Sequence, residues 1–562
     1  MTKKLACALA GTASAATLFA YVPEPQPVKG EFDISALYYP GTEHMPEWNM
    51  VEQVTPEVKP LLGWYDEHDP ENVDWQIKWA VEHGIGSFCV CWYWNKGEQR
   101  LDHWVKAFYR AKYRRFLKWY VMYANHNEPG SHSPADQVAV TKFWIDNYFK
   151  TPEYYRIDGK PVVVYCSSHL LDNDFIAEAA RAGEKLQRGE GIRRALDISE
   201  KLAKEAGLPG IYWIDMKWLR SPREMSFDPA NYASTKRARF DAMMSYNLGG
   251  ETPCGLAPEL RTAEDRPRWC RYDLQVAAAK KLAEKTDFLP GVPFWPAVPT
   301  GYDDVSRAFQ RAWTVHGVTV EKFRGACEAI REACRRKGMR HVVISPINEW
   351  QEGSIAEPNE KFGFGFYDAI RDTFCEKPAT GWPKNLTPKD LGLPLKEYPP
   401  MFYSPVQRWE FDSSTEGWYR QPFGCPVVLW RDGAIRFVTV RDNIFHIRQR
   451  LVPFAASKYR KFRVRMRIRP NASVKLDGRR PDQMTMRLKW GTVDEPIIGN
   501  LHAVDFETGV ATKRVVADGA WHEYEIDLGN YPRAWRGDVN ELWFESVNLR
   551  AAEVEIDWMR FE

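Results

Sequence analysis

From Phe32 to Phe374, short apolar runs alternate with stretches in which apolar residues recur at helical spacing. That is the pattern of consecutive βα units feeding a parallel sheet. Strands are predicted at Ile34–Tyr39, Ser87–Trp92, Leu117–Tyr123, Val162–Cys166, Gly210–Asp215, Ala242–Tyr246, Val292–Trp295 and His341–Ile347. Helices are predicted between them, around Val73–His83, Ala135–Phe149, Ile192–Ala206, Tyr272–Lys285 and Thr319–Lys337. Eight such units predict an α/β fold of the (β/α)₈ TIM-barrel type over residues 32–375. Prolines then cluster between Glu376 and Val406, which no helix can cross, and predict a linker. Beyond it the period drops to two, as in Phe462–Ile468 and Glu555–Phe561, and residues 407–562 read as an all-β sandwich.

The first twenty residues follow a different rule. Lys3 and Lys4 precede an alanine-rich apolar run from Leu5 to Ala20, the layout of a signal peptide, which predicts a secreted or periplasmic protein. Gly11, Thr12, Ser14 and Thr17 interrupt the run too often for a membrane anchor, so no integral membrane segment is expected after its removal. Of the ten cysteines, Cys7 lies in this leader; Cys89, Cys91 and Cys166 sit in apolar runs, and Cys254 and Cys270 flank a loop as the pair to suspect of a disulfide. No cysteine or histidine spacing matches a zinc site, and neither a metal nor another cofactor is expected.

The charge balance, 77 basic against 75 acidic residues, offers no electrostatic footprint for nucleic acid. Aromatic residues make up 14% of the chain, with 24 Trp and 25 Tyr, side chains on which sugar rings stack, so the expected partner is a polysaccharide or oligosaccharide.

In a TIM barrel the side chains just beyond the strand C-termini form the active site. After the eighth run comes Asn348-Glu349-Trp350-Gln351-Glu352-Gly353, which sets two carboxyl groups at the barrel mouth. Glycoside cleavage uses such a pair, one protonated and one ionised, and crowding raises the proton affinity of one of them. The bland alternative is a solvated face with two acids three residues apart. Candidate substrate-binding residues at the other strand ends are Tyr38, Trp92, Trp94, His126, Asp215, Tyr246 and Asp303, together with Asn348 and Trp350. Trp92, Trp94 and Trp350 are candidates for a stacking wall. Asp215 has helix capping, and Asp303 loop stabilisation, as its structural counterpart.

Glu349–Gly353, continuing through Ala356-Glu357-Pro358 to Lys361–Phe366, resembles the final block of glycoside hydrolase family 99 and of the WbsX-like proteins. Tyr38-Tyr39-Pro40, His83–Phe88 running to Trp92-Tyr93-Trp94, Ile157–Pro161 and Ser245-Tyr246-Asn247 match in the same order. The resemblance implies a retaining, endo-acting hydrolase without a protein nucleophile. Glu349 would be the base on the substrate's own 2-hydroxyl, which closes to a 1,2-anhydro sugar, and Glu352 the general acid. Where WbsX-like proteins carry Trp-Ala-Asn-Glu, this chain has Tyr123-Ala124-Asn125-His126-Asn127-Glu128, so the sugar is left open.

Trp409–Asp412, Thr415–Trp418 and Val554–Trp558 resemble carbohydrate-binding modules of galactose-binding-like form. The alternative is a domain that only buttresses the barrel, with Trp409 and Trp558 in its core. Two other functions compete with hydrolysis: a glycosyltransferase of the WbsX-like group and a non-catalytic glycan-binding protein. Export separates the chain from the usual nucleotide-sugar pool, and neither a metal-binding Asp-x-Asp sequence nor a glycine-rich phosphate-cradling loop is expected.

Overall fold

The computed structural model describes residues 21–41, 48, 51, 52, 54–219, 226–247, 258–265, 268–308, 312–398, 403–420, 428–439, 447–470, 484–494, 510–549 and 551–562. The expected leader, residues 1–20, and Cys254 lie outside them, while Cys270 is buried.

The eight expected strands form one parallel sheet: β1 (Asp33–Tyr38), β2 (Ile85–Asn95), β3 (Lys118–Tyr123), β4 (Lys160–Tyr165), β5 (Tyr212–Lys217), β6 (Ala242–Ser245), β7 (Phe294–Trp295 with Ala297–Pro299) and β8 (His341–Ser345). Each pairs with its neighbour in chain order, and β8 returns to β1 with Asp33 opposite His341. Closure runs through β7, which Pro296 divides: Phe294–Trp295 pairs with β6 and Ala297–Pro299 with β8. Proline has no N–H to give a ladder, but its carbonyl still accepts from Val343 N at 3.0 Å. Because a barrel strand is covered on both faces, its sequence is a continuous apolar run; Val342, Val343 and Ile344 of β8 are all fully buried.

Around the barrel lie α1 (Pro70–Glu82), α2 (His103–Arg110), α3 (Pro134–Trp144, continued by a π-turn over Ile145–Phe149), α4 (Ser168–Arg181), α5 (Glu190–Glu205), α6 (Ala233–Ala238), α7 (Tyr272–Ala283), α8 (Val320–Lys337) and α9 (Gly365–Phe374). Their starts follow local chemistry. Asp69 accepts from Glu71 N ahead of Pro70, and Ser133 accepts from Asp136 N ahead of Pro134, so each cap precedes a proline whose missing N–H costs nothing there.

The proline-rich segment after α9 lies along the barrel. Trp79 Nε1 donates to Leu386 O at 2.8 Å, Asn72 Nδ2 to Lys396 O at 2.7 Å, and Tyr398 N to Trp64 O at 3.0 Å.

The C-terminal domain is a two-sheet antiparallel sandwich: β9 (Arg408–Trp409), β10 (Tyr419–Arg420), β11 (Leu429–Arg431), β12 (Ala434–Val438), β13 (Ile447–Ala455), β14 (Lys461–Arg469), β15 (Met484–Thr492), β16 (Val510–Val515), β17 (Trp521–Asp527), β18 (Asp538–Glu545) and β19 (Glu553–Phe561). One sheet runs β11-β12-β19-β14-β17 with β9 on β19; the other runs β10-β13-β18-β15-β16. Trp409 is fully buried and meets Trp418 edge-on at 5.1 Å, as a core residue does. Trp558 is partly exposed beneath Arg560, whose guanidinium sits 4.1 Å from its ring centre, so it is no core residue. Trp409→Ala is expected to cost the sandwich about 3–5 kcal/mol, read as a lowered midpoint in urea.

Candidate active site at the barrel mouth

The chain leaves β8 through Pro346 and Ile347 into a tight hairpin in which Asn348–Glu349 pairs with Ser354–Ile355 around a 3₁₀ turn, Trp350–Glu352. Both glutamates therefore stand on the C-terminal side of the barrel. Gly353 closes the turn with φ +57°, and a Cβ there would lie 2.7 Å from Asp303 O, so backbone conformation and space both require glycine. Two further ties fix the turn. The Asn348 amide accepts from Tyr39 N at 2.8 Å and donates to Tyr39 O at 2.9 Å, and Ser306 Oγ donates to Gln351 O at 2.9 Å.

Glu349 is buried, whereas Glu352 is partly exposed. Burial, then the Glu352 charge and a hydrogen bond with Glu352, raise the Glu349 proton affinity well above the usual carboxyl range. Glu349 Oε2 has no hydrogen-bond partner among the described residues. Burial and then the Glu349 charge also push up the Cys91 thiol, with smaller effects from Cys166, Cys89 and Glu352. Tyr93 is raised by desolvation and then by Tyr39, Cys91, Glu349 and Cys166. Tyr39, Cys91, Tyr93 and Cys166 therefore share the barrel interior with the carboxyl pair.

Several predicted site residues face the other way. Tyr38 points out toward the helices, stacks on Phe88 at 5.2 Å and donates to Glu67 Oε1 at 2.6 Å. Trp92 and Trp94 lie under the end of α3: both pack on Phe143, Trp92 Nε1 donates to Tyr148 OH at 3.3 Å, and Trp94 Nε1 donates to Asp136 Oδ1 at 3.1 Å. Asp215 is buried and committed to Ser168 Oγ and Thr235 Oγ1, each at 2.7 Å, and to Lys217. Trp350 is buried as an anchor and belongs to no stacking wall. Asp303 accepts from Val305 N at 3.2 Å and Thr314 Oγ1 at 3.1 Å and supports the Gly353 turn, although burial raises its carboxyl. Asn348 is a positioning group.

His126 and Tyr246 do reach the mouth. His126 is exposed and meets Tyr93 edge-on at 5.9 Å; Tyr246 packs on Trp218 with ring centres 5.1 Å apart. Trp218, held by its Nε1 donating to Cys166 O at 2.9 Å, was not foreseen, nor were Tyr39, Cys91 and Tyr93. Strand alternation carried that signal. In Tyr38-Tyr39 and Trp92-Tyr93-Trp94 a shift of one residue exchanges the two faces.

Trp350 is held from behind by a buried hydrogen-bonded chain. Its Nε1 donates to Tyr65 OH at 3.1 Å, and Tyr65 OH donates to Glu357 Oε2 at 2.9 Å. Gln76 Nε2 donates to Glu357 Oε1 at 3.0 Å and to Tyr38 OH at 3.1 Å; beyond Tyr38, Glu67 pairs with His103 at 2.8 Å. Burial pushes Glu357 up to about 8 from an ordinary 4.5. The folded protein then keeps this proton where the unfolded chain has lost it. Stability contributed by Glu357 is full below its unfolded value and falls as pH rises toward its folded one. Glu357→Gln mimics the protonated acid, so relative to wild type its stability should rise between about pH 5 and pH 8, by on the order of several kcal/mol, in urea titrations at stepped pH.

Asp172-Asn173-Asp174 has the Asp-x-Asp spacing of metal-binding transferases, but its carboxylates are engaged within the fold. Asp172 accepts from Gly189 N and Ile192 N, and Asp174 from Gly130 N, His132 N and the His132 ring. Among the described residues no group of three or more His, Cys, Asp or Glu is placed to hold a metal ion, and no helix is long and apolar enough to cross a membrane.

A parallel eight-stranded barrel with two carboxyl groups at its mouth, one of them buried, defines the class: a TIM-barrel protein. The chain belongs to the family described as glycosyltransferase WbsX, which matches residues 46–370, more than half of its length. Uncharacterized protein WxcX of Xanthomonas campestris pv. campestris is 22% identical over 358 residues, which are 59% of this chain and 46% of that protein. The chain thus spans about half the length of the curated relative it matches. Among solved structures, the GH99 endo-alpha-mannosidase from Bacteroides thetaiotaomicron is 17% identical, with a TM-score of 0.39, covering 61% of this chain and 96% of that one. A family 29 carbohydrate-binding module, CBM29-2, is 9% identical with a TM-score of 0.19, covering 27% of this chain and 89% of that one. Similarity at this level assigns no residue of this chain a role.

Proposed function

We propose that this protein is a glycoside hydrolase acting on a polysaccharide, with Glu349 and Glu352 as its acid–base pair. The observation that carries the reading is the pair itself: a buried carboxyl of raised proton affinity, hydrogen-bonded to a more exposed one, on a rigid turn at the C-terminal face of a barrel. Aromatic residues Tyr39, Tyr93, Trp218 and Tyr246 surround that mouth and suit sugar rings.

The reaction requires one proton shared by the pair, and burial favours the protonated form of Glu349. Their hydrogen bond lets the proton pass to Glu352, and that is the state the reaction needs. Glu349, ionised, takes the proton of the substrate's 2-hydroxyl as O2 bonds to the anomeric carbon; the bond to the leaving oxygen breaks, and Glu352 protonates that oxygen. Water then opens the 1,2-anhydro ring, giving one proton back to Glu352 while Glu349 returns the other to O2. A 2-hydroxyl trans to the leaving group reacts at high effective molarity, a geometry that α-mannosides and α-rhamnosides share. The apolar run Leu5–Ala20 behind Lys3 and Lys4 supports export, and an exported enzyme would meet its polymer outside the cytoplasm.

The family's description favours a second reading, transfer of sugar from a nucleotide donor. Incubation with a panel of polysaccharides, read as reducing ends released, separates the two. Release without added nucleotide sugar is the expected result; product formed only when a nucleotide sugar is supplied would overturn the hydrolase.

A further inference from the structure

Beside the carboxyl turn stands a small sheet that the proposed chemistry leaves unused. Tyr302–Asp303 pairs with Thr314–His316, which pairs with Trp269–Arg271. Asp303 lies opposite Thr314, and Thr314 opposite Trp269, so these three side chains share one face, as the Thr314–Asp303 hydrogen bond confirms. His316, two residues beyond Thr314, shares it too. Tyr302, Cys270 and Val315 point to the opposite face and pack into a separate apolar cluster with Tyr272 and Leu274.

Gly353 presses on this sheet. A Cβ on Gly353 would lie 2.7 Å from Asp303 O, 2.8 Å from its Cβ and 2.9 Å from its N, so the turn carrying Glu352 packs against the Asp303 strand of the sheet that carries Trp269. Trp269 stands two strands from Asp303, about 10 Å at ordinary strand spacing. Its indole stacks on the His316 ring at 4.8 Å and 23°, yet the residue remains 49% exposed. The ribbon beneath it is pinned, since Arg271 grips the Asp265 carboxylate at 3.0 Å and donates to Leu260 O at 2.8 Å. His316 Nε2 is buried with no hydrogen-bond partner among the described residues. A flat ring held from below and open above is built for the apolar face of a pyranose.

We propose that Trp269, backed by His316, is a distal sugar-binding platform that holds the same glycan chain whose scissile bond lies at Glu349 and Glu352. The inference rests on the glycan-directed reading of that pair and deepens it. A sugar held at Trp269, about 10 Å across the sheet from Asp303, would be a neighbour of the residue being cleaved, so the ligand is an oligosaccharide or a longer chain.

The test is affinity electrophoresis through gels containing yeast α-mannan, a rhamnan or a bacterial O-antigen polysaccharide. The Glu352→Gln protein is the background, so that the polymer stays intact. Retardation in at least one gel is expected; adding Trp269→Ala should weaken it roughly five- to tenfold, the scale of one lost aromatic stack, and Trp269→Phe should restore most of it. Unchanged retardation in Trp269→Ala, or no retardation in any gel, overturns the platform. Reducing-end release by the wild type is scored separately. Trp269-dependent retardation by a polymer that is never cut keeps the platform and removes the hydrolase; cutting with Trp269-independent retardation does the reverse.

Discussion

Glu349→Gln is expected to lower polysaccharide hydrolysis by at least about 10³-fold, with no rescue when the leaving group is an activated phenol. The amide cannot take the 2-hydroxyl proton, and a good leaving group does nothing for a nucleophile that is never activated. Glu352→Gln should fail differently. It removes the proton donor, so a natural glycan whose leaving group is an alcohol should lose about 10²–10⁴-fold, while an aryl glycoside that departs with little protonation should keep much of its rate. Both proteins should fold, because Glu349 leaves one oxygen unpartnered and Glu352 is partly exposed, so neither holds the barrel together. Steady-state kinetics on the two substrate types check the contrast. Equal losses on both substrates in both variants would dissolve the division of roles, and full activity in both would remove the pair from the chemistry.

Gly353→Ala is expected to damage catalysis without touching either carboxyl. Its φ of +57° is costly for any residue with a Cβ, and that Cβ would meet Asp303 N at 2.9 Å and Asp303 O at 2.7 Å. The turn must move to relieve the contact, and it carries Glu352 on one side and Trp350 on the other. Displacement of a catalytic group by about 1 Å costs on the order of 10²-fold in rate, which is the loss expected in kcat. A crystal structure of the variant should show the Trp350–Glu352 turn shifted from Asp303. Wild-type kcat with the turn in place would mean that the packing of Gly353 has no part in aligning the acid.

The barrel was legible in the sequence for the same reason that its lining was not. Strands covered on both faces are written as unbroken apolar runs, which makes eight of them easy to find. An unbroken run carries no alternation to say which residues point inward, so Tyr38 and Trp92 were read as lining where Tyr39 and Tyr93 are. At β7 the run Val292–Trp295 stopped at Pro296, yet the strand continues to Pro299 and only then closes the barrel. The carboxyl pair was legible because its elements are local: an apolar run, then Asn348 to Gly353. What supports the pair is not local. Gln76 meets Glu357 across 281 residues of chain and Tyr65 meets Trp350 across 285, contacts that no spacing rule records. Trp269 was invisible for a related reason, since a tryptophan in a polar loop becomes a platform only once a second loop brings His316 beneath it.

The stereochemistry of cleavage tests the central claim most directly. Proton nuclear magnetic resonance on the first-formed product of a polysaccharide, before mutarotation, reads the configuration at the new reducing end. Substrate-assisted displacement by the 2-hydroxyl, followed by water opening the anhydro ring, predicts the retained anomer. An inverted product would mean that water attacks the anomeric carbon directly under one of the two carboxyls, and would contradict the account.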